Sequence, residues 1–293
     1  MQNQQLKERN IWSYLIIGLK GLFIGAVDWV PGVSGGTIAF ITGVYKELLH
    51  SLKSIDLSLL ALFFKRKWGI FWKQLNGWFL LALGCGILTS VFSIAKLLQY
   101  LIKAYPIPVW SLFTGLVIAA AIYVLKSLKK WNVWNMVFLL ASILLAVIIC
   151  RLTPTQTPDD YWFVFITGAI AISAMLMPGI SGAFVMLLMG KYEFILAAVD
   201  GLFWDVLLVF AAGAVVGIVL FSRFLYWMLD KYYDKMVCLM AGFMLGSVEK
   251  LWPGNHAELI GQSAFFSVVI FVILGFVFVF GIEFLAKRMR RGK

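Results

Sequence analysis

An all-α polytopic membrane protein, built as two inverted repeats of five apolar segments, is the fold class this sequence predicts. Three observations carry that expectation. Of 293 residues, 62% are hydrophobic and 13% charged, with a mean hydropathy of +0.93, whereas a soluble domain carries about 25% charged residues. A polar, helix-breaking motif occurs twice inside apolar sequence, as Asp28-Trp29-Val30-Pro31-Gly32-Val33-Ser34-Gly35-Gly36-Thr37 and as Met177-Pro178-Gly179-Ile180-Ser181-Gly182-Ala183. The copies share Pro-Gly-(Val/Ile)-Ser-Gly at an offset of 147 residues, and at that offset Gly21 matches Gly168, Gly43 matches Gly190 and Tyr45 matches Tyr192. Matches in register on both sides of a motif mark an internal repeat. Finally, each half holds five apolar segments, and an odd number makes the second half enter the membrane from the opposite side.

The first repeat covers residues 1–150. Its opening stretch is polar, and residues 11–50 form two helical arms, 11–30 and 33–50, with the motif between them. Lys20 and Asp28 interrupt the first apolar run and no small-residue cleavage site follows, so this is not read as a cleaved signal. Residues 51–75 mix Lys53, Lys65, Arg66, Lys67 and Lys73 with Leu, Phe and Trp, the pattern of an interfacial segment with Trp68 and Trp72 at headgroup depth. Spans follow at 76–102, 109–126 and 133–150, with a tight Pro-containing connection at 105–108. Residues 151–160 are the linker. The second repeat, 161–293, restarts the pattern with a hairpin at 161–199 and spans at 202–222, 236–250 and 264–285, with a charged turn at 223–235.

Charge supports this topology. With both termini cytoplasmic, the segments expected inside hold 18 of the 25 Lys and Arg residues, including Lys126, Lys129, Lys130, Arg223, Lys231, Lys235 and five in the tail. That is the positive-inside bias. The net charge of +11 therefore points to anionic membrane lipids as partners and not to nucleic acid. Cys85, Cys150 and Cys238 have no metal-like spacing, and the two histidines, His50 and His256, lie far apart; no metal or cofactor is expected. Whether the arms span or dip in as re-entrant hairpins is weighed by Lys20 and Asp28, which are costly in a lipid-facing helix. Hairpins whose ends meet near the midplane bury both, and are favoured.

The motif itself suits anion binding. Pro31 and Pro178 stop the incoming helix, Gly32 and Gly179 shape the turn, and Ser34 and Ser181 cap a new one. Backbone N–H groups at such a start attract negative charge, and paired broken helices mark the binding site of many transporters. The candidate donors are the hydroxyls of Ser34, Thr37 and Ser181 and the N–H groups of Gly35, Gly36, Gly182 and Ala183. A bound anion also calls for a basic side chain. Lys20 is the candidate by position, its alternative role being to snorkel to the interface; Lys46 and Lys191 are expected at the interface. Asp28 either carries a proton, coupling transport to the proton gradient, or caps the turn or pairs with a lysine. Glu193 has the same two readings.

The doubled Pro-Gly-x-Ser-Gly, the Asp-x-Val before the first copy and the Gly-Lys-Tyr-Glu after the second resemble the polyprenyl-phosphate translocases, the undecaprenyl phosphate translocase family of PopT type. The resemblance covers essentially the whole chain. That family tends to place an acid directly after the tyrosine; the second copy keeps Tyr192-Glu193, whereas the first reads Tyr45-Lys46-Glu47. The resemblance implies a multi-pass protein of the bacterial plasma membrane that returns undecaprenyl phosphate from the outer to the inner leaflet for cell-wall glycan synthesis, with the headgroup bound between two broken helices. An alternative is a permease for a small soluble anion. Less favoured is an intramembrane lipid pyrophosphatase, which needs a nucleophile or base beside Arg and His. The motifs contain no arginine, and neither histidine is near them in sequence.

Overall fold

The computed structural model describes residues 9–28, 34–154, 157–255 and 262–291, and all regular structure among them is helical. In the first half, α1 (Ile11–Asp28), α2 (Gly35–Ile41) and α3 (Tyr45–Lys53) precede two short helices, α4 (Leu57–Phe64) and α5 (Trp68–Leu75). Then come α6 (Gly77–Phe92), α7 (Ile94–Ala104), α8 (Pro106–Leu125) and α9 (Val133–Arg151). The second half contains α10 (Tyr161–Leu176), α11 (Gly182–Leu188), α12 (Tyr192–Asp200), α13 (Trp204–Lys231), α14 (Tyr233–Leu251) and α15 (Gln262–Arg291).

Four helix pairs carry the packing. α1 packs along α6 and α10 along α13; α9 packs on α14 and α8 on α15. The two peripheral pairs approach backbone to backbone. A Cβ on Gly21 would fall 2.2 Å from the Leu83 carbonyl oxygen, and one on Gly168 would fall 2.3 Å from that of Phe210. Small-residue seams of this kind join helices where lipid removes any hydrophobic drive. α8 and α14 form the centre: Ala119, Ala120, Ala121 and Val124 of α8 and Val237, Cys238, Met240 and Met244 of α14 are fully buried. Large apolar side chains stand exposed on the outer faces, among them Trp12 and Leu19 on α1, Leu144 on α9, and Leu208 and Leu220 on α13. Four described helices (α1, α8, α9 and α13) are long and apolar enough to cross a membrane, and α11 with α12, bent by 109°, make a fifth if counted as one span. This is a multi-pass membrane protein.

Several predicted segments are subdivided. The second arm of each predicted hairpin, expected as one helix, is two. Gly43 (φ +76°) ends α2 and Gly190 (φ +63°) ends α11. In each copy the following N–H reaches back to a carbonyl five residues earlier, Val44 to Ala39 at 3.0 Å and Lys191 to Met186 at 2.9 Å, the Schellman ending that glycine allows. The span predicted at 76–102 breaks at Ser93, after Thr89 and Ser93 donate to the carbonyls four residues before them; such back-bonding bends helices. The connection predicted at 105–108 is instead the first turn of α8, where prolines lack no helical partner. The charged turn predicted at 223–235 shrinks to Tyr232, because α13 continues to Lys231. Residues 51–75 hold the end of α3 and all of α4 and α5, with Phe64, Trp68 and Ile70 exposed.

Candidate functional site

The two motif copies meet. Ser34 has extended backbone, and its Oγ accepts from the Gly36 N–H at 3.2 Å, capping α2. The same hydroxyl donates to the Met177 carbonyl at 3.2 Å. The fully buried Tyr45 donates its hydroxyl to the Leu176 carbonyl at 2.9 Å. In the other direction the Gly179 N–H donates to Thr37 Oγ1 at 3.2 Å. The start of α2 is thus pressed against the end of α10, whose unpaired last-turn carbonyls need donors. Opposite dipole ends face each other there.

One acid completes the first copy. The Gly35 N–H donates to Asp28 Oδ1 at 2.6 Å. Gly35, Gly36, Ser34 and Thr37 are all buried. In this state the N–H that the sequence offered to an anion is met from within the chain, by the Asp28 carboxyl group. Pro31 and Gly32 lie outside the described residues.

The second copy is built differently. Pro178 and Gly179 form a turn in which the Ile180 N–H reaches the Met177 carbonyl at 3.2 Å. Gly179 has φ +90° and presses on α14, where a Cβ would fall 2.5 Å from the Met244 nitrogen. Ser181 caps α11 by accepting from the Phe184 N–H at 3.4 Å. Gly182 is buried and Ala183 half-buried. At the 147-residue offset, Met175 stands where the first copy has Asp28. The start of α11 borders a small cleft between α9 and α14, lined by Cys150, Ser181, Phe184, Ser247 and Lys250.

The remaining candidates lie elsewhere. Lys20 does not join the capped start of α2. Its Nζ donates to the Thr42 carbonyl at 2.7 Å, at the opposite end of that helix, about 10 Å away for seven residues. Glu193 is exposed on the first turn of α12. Lys46 is exposed, 4.8 Å from the Tyr233 ring centre. Lys191, expected at the interface, is fully buried and donates to the Thr157 carbonyl and to Asp159 Oδ1. Glu47 is structural: it accepts two bonds from Arg9, at 2.7 and 2.8 Å, and one from Asn76 at 2.9 Å. The ion pair raises the Arg9 pKa. His50 lies 6.1 Å from the Tyr226 ring on α13, and no metal-binding group of His, Cys, Asp and Glu occurs among the described residues. Two contributors escaped sequence reasoning. Tyr45 was visible as a repeat-matched tyrosine, whereas nothing in the sequence brings Lys250 to the second copy.

A family model described as VCA0040-like, undecaprenyl phosphate translocase-like, matches residues 24–269, which include both motif copies. The chain belongs to that family. It is 43% identical over 241 residues to a polyprenyl-phosphate transporter of Vibrio cholerae serotype O1, covering 82% of this chain and 78% of the relative. It is 30% identical over 294 residues to a polyprenyl-phosphate transporter of Staphylococcus aureus, covering 94% and 95%. No solved structure matches. The resemblance drawn from the paired motif therefore holds, and the family is one of transporters and not of enzymes.

Proposed function

We propose that this protein moves a polyprenyl phosphate, undecaprenyl phosphate in a bacterial plasma membrane, from the outer to the inner leaflet, where the carrier lipid re-enters cell-wall glycan synthesis. The supporting observation is the direct hydrogen bonding of the two broken-helix ends, Ser34 to Met177 and Gly179 to Thr37. A phosphate in hydrocarbon costs on the order of tens of kcal/mol, and a prenyl tail in water about 0.8 kcal/mol per CH₂. A carrier for both needs a polar path for the headgroup, open sideways so that the tail stays in lipid. The meeting point of two polar turns inside an apolar bundle suits that path.

The tips form two re-entrant hairpins of opposite sense, and both termini are cytoplasmic. The bonded arrangement is the closed state, in which α2 and α10 satisfy each other. As the headgroup enters, its oxygens replace Asp28 at Gly35 and the backbone carbonyls at Ser34. They also take the N–H groups of Gly36, Gly182 and Ala183 and the hydroxyls of Thr37 and Ser181. Asp28 then leaves its N–H partner as the neutral acid, which couples transport to a proton; Glu193 is the second proton-bearing candidate. Lys20 holds the far end of α2 in place while its near end opens.

The test is reconstitution. Undecaprenyl phosphate sealed inside proteoliposomes is exposed to an added soluble phosphatase, and a parallel set is loaded with inorganic phosphate. Protein-dependent hydrolysis of the inner lipid pool with no phosphate leak is the expected result. Phosphate efflux with the lipid still protected replaces this reading with a small-anion permease.

A further inference from the structure

The cleft beside the second motif copy has the makings of a headgroup site. Its walls are α9, α14 and the start of α11, and its volume is about 20 Å³, room for about one water molecule. Among the described residues that line it, Lys250 carries the charge, Ser181 and Ser247 carry hydroxyls, and Cys150 carries a thiol. The Lys250 ammonium lies 5.4 Å from the ring centre of Phe184, which keeps it against α11. Its neighbour in sequence, Glu249, accepts from Arg151 Nε at 2.6 Å. An ammonium and hydroxyls between apolar walls, beside exposed lipid-facing helices, fit a phosphate monoester that arrives with its tail in lipid.

We propose that this cleft is the docking site for the phosphate monoester, with Lys250 as the residue that balances its charge and Ser181 as a hydroxyl donor. The proposal rests on the transport reading above and names the residue that reading lacks, since Lys20 is tied to the far end of α2. The described state is the closed one. Gly179, seated against Met244 without room for a Cβ, is where the α10–α11 turn lifts away from α14 to widen the cleft.

Cys150 is a native reporter. Full-length protein carrying Cys85→Ser is placed in nanodiscs and treated with a charged methanethiosulfonate. Peptide mass spectrometry then reads the labelling rate at Cys150 apart from that of the buried Cys238. Undecaprenyl phosphate, undecaprenol and inorganic phosphate are compared as protectants. The expected result is slower labelling with undecaprenyl phosphate and none of that slowing with undecaprenol. Lys250→Gln raises the lipid concentration for half-protection by about tenfold or more, as loss of a charged hydrogen-bond partner does, and Lys250→Arg retains protection. Protection by inorganic phosphate that also depends on Lys250 supports the same phosphate chemistry from a soluble source. No protection, equal protection by undecaprenol, or protection indifferent to Lys250→Gln overturns the site. Flipping is measured on the same preparations. Flipping without protection removes this site alone, whereas protection without flipping removes the transport reading and leaves the binding site.

Discussion

A Cβ placed at two positions of one helix has opposite consequences in this structure. On α6, an alanine at Gly86 would put its Cβ 2.0 Å from the Gly18 carbonyl oxygen and 2.8 Å from the Leu22 nitrogen. Both are backbone atoms of α1 and cannot rotate aside, so α1 and α6 must part by roughly 1 Å or more to reach van der Waals distance. Overpacking of this kind costs about 1–3 kcal/mol, against about 0.5–1 kcal/mol gained when alanine replaces a helical glycine. Two residues earlier, a Cβ on Gly84 meets nothing within 4 Å, so Gly84→Ala keeps the gain without the clash. The two variants should therefore differ by about 1–3 kcal/mol, a few degrees in the thermal-unfolding midpoint of purified protein. Gly84→Ala melts at or above wild type and Gly86→Ala below it. Because α1 also carries Asp28, whose bond with the Gly35 N–H belongs to the closed state, parting the seam should change the flipping rate of Gly86→Ala while Gly84→Ala flips normally. If Gly86→Ala melts as high as Gly84→Ala, the close α1–α6 seam is wrong.

Three further outcomes follow from named contacts. Tyr45→Phe leaves the buried Leu176 carbonyl without its donor, which costs about 1–3 kcal/mol, and should lower the unfolding midpoint while exposing Cys150 to faster labelling as the tips loosen. Asp159→Ala leaves the fully buried Lys191 ammonium without its carboxylate, whereas Lys191→Met leaves an Asp159 that is two-thirds exposed. Removing the exposed acid should therefore destabilise more than removing the buried base, as thermal melts of the two variants will show. Glu47→Ala unties Arg9 and Asn76 together, and should speed amide exchange at the start of α1 and at the α5–α6 junction, with little change at the motif copies.

The sequence speaks most clearly where apolar context makes a residue anomalous. Proline and serine inside a hydrophobic run drew attention to both motif copies, and the segment 161–176, expected as the first arm of a second hairpin, is α10. Gly43 and Gly190 were visible as repeat-matched glycines, yet were not read as helix ends because a lone glycine in an apolar run also serves packing. The break at Ser93 carries no proline or glycine, and arises from hydroxyls bonding to their own helix. What the chain could not tell in advance was tertiary. Lys191 is buried because the linker at 157–159 folds over it, and Lys250 reaches the second motif copy through the packing of α14 on α9. The sequence offered the donors of the first copy to an outside anion; in the structure one of them, the Gly35 N–H, is met by Asp28, an acid seven residues away.

The account turns on the headgroup passing between the two motif copies, and flipping by tip variants tests this most directly. Wild type, Ser34→Ala, Ser181→Ala, Asp28→Asn and the Gly84→Ala control are reconstituted at equal protein density. Phosphatase hydrolysis of inner-leaflet undecaprenyl phosphate is then timed with and without a pH gradient. The account predicts wild-type rates for Gly84→Ala, slow hydrolysis for both serine variants, and an Asp28→Asn rate that no longer responds to the gradient. Wild-type flipping by both serine variants, with the gradient response of Asp28→Asn intact, would place the lipid path elsewhere in the protein.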